Sequence, residues 1–142
     1  LRFGLGRDVY IVSSEETASL FAANNIVKVA SAPYHESVFV GGIIFNLRQN
    51  DARPEALEAF AARLGVNITA VIPRDRDILE SEDLGLTVFE HAPKGKAAAR
   101  FRALAAAIEA RKGTVPGTSV KAMPPQEFAE YVRSQKIYRS RR

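Results

Sequence analysis

Apolar residues along this chain alternate between short continuous runs and helical spacing. Val9-Tyr-Ile-Val-Ser, Val38-Phe-Val-Gly-Gly-Ile-Ile-Phe-Asn and Asn67-Ile-Thr-Ala-Val-Ile are rich in β-branched and aromatic residues. Continuous apolar runs of that length are expected of strands buried on both faces. Between and after them the period changes. Ser13 or Ser14 is placed to cap a helix with Glu15 and Glu16 in its first turn, running to about Ser31. Pro54 opens a second helix with Leu57, Phe60, Ala61 and Leu64 on one face, and Gly65 stops it. Asp75 to Leu84 reads as a short acidic helix and Thr87-Val-Phe-Glu as a short extended piece. An Ala-rich helix follows from Lys96 to about Lys112, capped by Gly113. Pro125 begins a last helix with Phe128, Tyr131 and Val132 on one side.

Strands alternating with helices predict an α/β fold, a parallel β-sheet flanked by helices on both faces through right-handed crossovers. Residues 1–112 are expected to form the α/β domain, and 113–142 a C-terminal loop, short helix and basic tail. Three strands are few against the usual four to six, roughly, of a sheet. One edge is expected to stand unpaired unless a further half of the fold completes it. Residue 1 is Leu and the one methionine is Met123, so the chain reads as a fragment.

Composition narrows the chemistry. At 142 residues and 46% hydrophobic content, one sizeable core is affordable. No apolar run approaches the roughly 20 residues that span a bilayer, and the first residues lack the apolar stretch of a signal peptide, so a cytoplasmic location without membrane contact is expected. With no cysteine, these residues offer no disulfide and no thiolate for zinc or iron–sulfur binding. The last ten residues carry five positive charges and no acid, which leaves the rest at −1 of the net +4. Such a terminal cluster reads as a solvated tail rather than as a nucleic-acid-binding stripe.

Several motifs fail on context. Phe3-Gly-Leu-Gly-Arg precedes a strand, whereas a dinucleotide-binding glycine loop follows one. Gly95-Lys96 has Glu90 where a phosphate loop needs its first glycine and Ala97 where it needs a hydroxyl. His35 and His91 stand alone, without metal-ligand spacing. What survives lies at strand ends. Pro73-Arg74-Asp75 and Asn46 fall at the carboxyl ends of their strands, where open parallel sheets bind ligands. An Asn amide offers both donor and acceptor, which suits an adenine edge but equally closes an Asx-turn. Asp75, Asp77, Glu80, Glu82 and Asp83 could bind magnesium or serve acid–base chemistry; equally, Asp75 caps a helix whose other acids are solvated. Lys94, Lys96, Arg100 and Arg102 open the long helix against its dipole.

The ordered set Tyr10-Ile-Val-Ser-Ser-Glu-Glu, Leu20-Phe-Ala-Ala-Asn-Asn-Ile, Gly41-Gly-Ile-Ile-Phe-Asn-Leu-Arg, Ile72-Pro-Arg-Asp and Thr87-Val-Phe-Glu-His-Ala-Pro-Lys-Gly-Lys, followed by Phe101-Arg-Ala-Leu-Ala, resembles the C-terminal half of the nitrogenase iron protein family, which includes nitrogenase-like reductases. The resemblance implies a P-loop NTPase fold lacking its N-terminal half. It implies an intact homodimer that binds ATP with magnesium, shares one 4Fe–4S cluster, and passes electrons to a nitrogenase-like catalytic component as ATP is hydrolysed. By the same resemblance Asn46 contacts adenine, Pro73, Arg74 and Asp75 flank the base, and Glu82 lies near the sugar. Glu16 approaches the nucleotide across the dimer, and Arg2 lies on the face that docks the partner. Ala97 and Phe101 replace a glutamine and a tyrosine on the adenine side, and Leu5 replaces a lysine near the docking face. A partitioning or assembly ATPase of the same P-loop group, or an inactive fragment, are the alternatives.

Overall fold

The computed structural model describes residues 8–32, 38–50, 52–111 and 120–134. Arg2, Leu5, His35, Gly113 and the tail beyond residue 134 lie outside these residues. Three parallel strands, β1 (Asp8–Ser13), β2 (Phe39–Asn46) and β3 (Ile68–Ile72), form one sheet in the order β1-β2-β3. Ser13 pairs with Phe45 and Asn46 with Ile72, so all three carboxyl ends finish level. Among the described residues the helices are α1 (Thr17–Ala30), α2 (Pro54–Leu64), α3 (Arg76–Asp83), α4 (Val88–His91), α5 (Lys96–Ala110) and α6 (Pro125–Ser134).

Alternation along β2 explains the layering. Ile43 and Phe45 point into the main core with Ile11, where α1 contributes Leu20 and Val27 and α2 contributes Phe60 and Leu64. Two crossovers that step in the same direction put α1 and α2 on the same face. Ile44, one residue out of phase, turns to the opposite face. There α5 meets β3, with Ala97 and Ala98 buried. That second layer is partial: Val12, which pairs with Ile44, remains 64% exposed. Phe60 packs edge-on against Phe45 at 6.5 Å and tilts against Tyr131 at 6.0 Å. Burying a side chain of that size contributes about 1.5–3 kcal/mol. Tyr10 lies so close over the sheet that a Cβ on Gly41 would sit 2.8 Å from its ring.

The chain after residue 120 returns to this core. Lys121 N–H donates to Leu64 O at 3.0 Å, Phe128 is buried against Phe21 at 5.3 Å, and the Tyr131 hydroxyl donates to Ala56 O at 3.2 Å. Arg63 and Glu127 form an ion pair across the α2–α6 contact.

Two local expectations are corrected. First, α1 starts at Thr17 with Glu16 at its cap position and no acid in its first turn. Ser14 Oγ accepts from Glu16 N at 3.3 Å, but Glu15 turns inward, and this detour delays the helix. Second, Thr87–Glu90 is not extended. Thr87 caps α4, its Oγ1 accepting from Glu90 N while the Glu90 carboxylate accepts from Thr87 N at 2.8 Å. This reciprocal capping box offsets the apolar β-forming character of Val88 and Phe89. Gly65 ends α2 as expected, in the left-handed conformation at φ 68°.

Candidate functional site

Because the strands end in register, the loops after β1, β2 and β3 crowd one end of the sheet. A cavity of about 240 Å³ opens there, lined by Asn46, Leu47, Arg48, Pro73, Arg74, Asp75, Ile78, Leu79 and Glu82. Five of the residues singled out in the sequence therefore share one cavity: Asn46, Pro73, Arg74, Asp75 and Glu82. Asn46 is exposed, and the N–H two residues on, that of Arg48, which an Asx-turn at Asn46 would use, donates to Glu15 instead. Leu79 is 39% exposed and, with Ile78 and Pro73, gives the cavity apolar surface beside its polar groups. A planar base with a polar edge fits such a lining.

The loops that carry these residues are tied to each other. Leu47 N donates to Ile72 O at 2.8 Å, Arg74 Nη1 donates to Arg48 O at 3.1 Å, and Asn50 Nδ2 donates to Arg74 O at 3.0 Å. Asp75 caps α3, its Oδ1 accepting from Asp77 N at 2.9 Å. Of the remaining acids, Glu80 accepts from Arg76 Nε at 2.5 Å and lies 3.3 Å from His91 Nε2. The Arg76 guanidinium holds the Glu80 carboxyl below the usual glutamate range; desolvation opposes this in part, and His91 adds a lesser lowering. Among the described residues no group of three or more His, Cys, Asp or Glu is arranged to hold a metal.

Glu16 does not line the cavity; its Oε1 lies 3.5 Å from Nε of Arg48, which does. Ala97 is buried, and Phe101 meets Phe89 edge-on at 6.5 Å with the Arg102 guanidinium 5.1 Å over the Phe89 ring. Neither Ala97 nor Phe101 joins the lining; Phe101 of α5 packs on Phe89 of α4. A larger cavity of about 590 Å³ lies between α2 and β3, but its walls are mainly apolar and contain a single ionisable side chain, Glu58.

The residue pattern alone does not distinguish Glu15 from Glu16. Glu15 is fully buried, and its carboxylate accepts from Arg48 N at 3.0 Å and Gln49 N at 2.8 Å. Two adjacent glutamates at a strand end look alike in a sequence; only the fold shows which one turns inward.

The profile of the 4Fe-4S iron sulfur cluster binding proteins, NifH/frxC family, matches residues 1–137. The chain belongs to this family. As a NifH/frxC-family chain it has the three-stranded parallel sheet and flanking helices of a P-loop NTPase. Among solved structures it is similar to the Pyrococcus furiosus cell division ATPase MinD, at 27% identity and a TM-score of 0.60. That match covers 74% of this chain and 43% of the other. It is also similar to the septum site-determining protein MinD of Pyrococcus horikoshii OT3, complexed with Mg-ADP, at 26% identity and a TM-score of 0.58, over 75% of this chain and 42% of the other. The chain thus spans less than half the length of the structures it matches.

The two cofactors expected of the family fit this chain differently. The cavity's unengaged Asn46 amide and apolar wall suit the base of a nucleotide. A 4Fe–4S cluster needs thiolates, and none of the 142 residues is cysteine. No helix among the described residues is long and apolar enough to cross a membrane.

Proposed function

We propose that this chain forms the base-side half of an ATP-dependent iron–sulfur reductase, a nitrogenase iron protein or nitrogenase-like relative, and that the cavity of Asn46, Pro73, Arg74, Asp75 and Glu82 receives adenine. The observation that carries the reading is that residues from two strand ends and a helix, separated by up to 36 positions, converge on one cavity at the ligand-binding end of a parallel sheet. Asn46 offers donor and acceptor to the base edge, Pro73 and Leu79 pack against its face, and Glu82 lies where a ribose hydroxyl can donate. The phosphates, magnesium and cluster are held by residues other than these 142, and the active unit is a homodimer that delivers electrons to a catalytic component. Glu16 reaches toward the nucleotide from the α1 cap, and Arg2 belongs to the docking face.

The test is reconstitution of the full-length protein with iron and sulfide under anaerobic conditions. The expected product is brown, with the visible absorption of a 4Fe–4S centre that reduces and reoxidises, and it hydrolyses ATP. A colourless product that hydrolyses ATP supports the second reading, a partitioning or assembly ATPase. The similarity to the two MinD structures favours that alternative, and its base cavity would be the same.

A further inference from the structure

We infer that Glu15 is a positioning residue for the cavity, holding the 47–50 loop in the shape in which Asn46 and Arg48 form its wall; the inference rests on reading that cavity as a base site. Glu15 does not line the cavity and is fully buried. Burying a carboxylate is costly unless hydrogen bonds replace its water. Here both oxygens are used, Oε2 on Arg48 N and Oε1 on Gln49 N, so two consecutive N–H vectors are fixed by one rigid group. An apolar side chain of similar size could fill the space but could not orient those amides.

The same residue is gripped from its other side. Arg74 Nη1 donates to Arg48 O, while Asn50 Nδ2 donates to Arg74 O. Arg48 is therefore held through its N–H from the end of β1 and through its carbonyl from the end of β3. Its guanidinium is steadied by Glu16 at 3.5 Å, but that pair is well exposed, at 67% and 44%, and contributes little. Of these ties, the Glu15 clamp is the one shielded from water. The loop carries four polar residues in sequence after Leu47 or at its start, Asn46, Arg48, Gln49 and Asn50, with little burial of its own. Without the clamp, a ligand would have to order that loop on binding, which weakens affinity and blurs discrimination between bases.

The experiment measures ADP and GDP affinity by calorimetry on the full-length protein, together with hydrogen exchange over residues 46–50. In Glu15→Gln the amide nitrogen faces a backbone donor, one hydrogen bond is lost, and the ADP dissociation constant is expected to rise about tenfold. GDP affinity should change less than about twofold by the same reasoning, because the misplaced wall no longer selects the base. Exchange over 46–50 should accelerate in the unliganded protein while the α2 and α6 segments stay as they were. Glu15→Asp keeps the charge but shortens its reach and should fall between wild type and Glu15→Gln; it serves if the glutamine variant does not fold. An unchanged ADP/GDP ratio in either variant overturns the inference, even if stability falls. Equal ADP and GDP affinity in the wild type would instead overturn the base-site reading, and this inference with it.

Discussion

Asn24 and Met123, 99 positions apart, exchange two hydrogen bonds: the Asn24 amide nitrogen donates to Met123 O at 2.9 Å and its oxygen accepts from Met123 N at 2.7 Å. Both residues are buried, at 2% and 4% exposure. The side chain imitates a strand neighbour, satisfying the backbone of a segment that belongs to no sheet. It thereby attaches the approach to α6 to the middle of α1. Asn24→Ala leaves a buried N–H and C=O without partners, each costing about 1–3 kcal/mol. The expected loss in urea unfolding is about 2–6 kcal/mol by that count, with earlier proteolysis in residues 120–134. Asn24→Asp keeps the acceptor, sets a carboxylate oxygen against Met123 O, and should be at least as damaging.

The cap of α4 gives a smaller effect. Thr87→Ala removes the oxygen that accepts from Glu90 N and should cost about 1 kcal/mol. Glu90→Ala opens the same box from the other side. The double variant is expected to lose less than the sum of the singles, because either change alone disrupts the reciprocal pair; a strictly additive denaturation cycle would contradict the box.

Acid should loosen the α3–α4 unit before the main core. Hydrogen bonds from Thr87 hold the Glu90 carboxyl below its usual range, as the Arg76 guanidinium does first and His91 second for Glu80. A carboxyl whose folded value is depressed contributes stability that is full above the ordinary glutamate value, about 4.3, and is lost as the pH falls through the lower folded value. Hydrogen exchange corrected for intrinsic rates should therefore show α3 and α4 losing protection as the pH drops from about 5 to below 4. Glu80→Gln should flatten that response without altering α2.

Asn46→Ala should separate binding from folding. Its side chain is exposed and engages no protein partner among the described residues, so the midpoint of unfolding should move little. Loss of one or two hydrogen bonds to the base should raise the ATP dissociation constant of the full-length protein about tenfold, at about 0.5–1.5 kcal/mol each. GTP binding should be nearly unaffected. A large drop in stability, or equal losses for both nucleotides, would contradict the assigned role.

Much of this was legible in the chain because it is local. Continuous apolar runs marked β1, β2 and β3, Pro54 and Gly65 bounded α2, and Asp75 marked the start of α3. That Asn46 and Pro73-Arg74-Asp75 lie at strand ends followed from the same runs, and parallel pairing then brings them together. The α4 cap was also written locally, as Thr followed three residues later by Glu, but the β-branched Val88 and aromatic Phe89 hid it. Long-range partners could not be read. Nothing near Asn24 points to Met123, and nothing in Ser-Glu-Glu says that Glu15 faces Arg48 and Gln49 while Glu16 faces water. The packing of Phe101 on Phe89 depends on the α4–α5 crossing, which no periodicity encodes.

Photolabelling with 8-azido-ATP tests the central claim most directly, because it reports where the base itself lies. The full-length protein is irradiated with the reagent, with and without excess ATP, and the modified peptides are mapped by mass spectrometry. The cavity predicts ATP-protected labels within residues 46–48 and 73–82. ATP-protected labelling confined to other peptides, with those two segments unmodified, would contradict it.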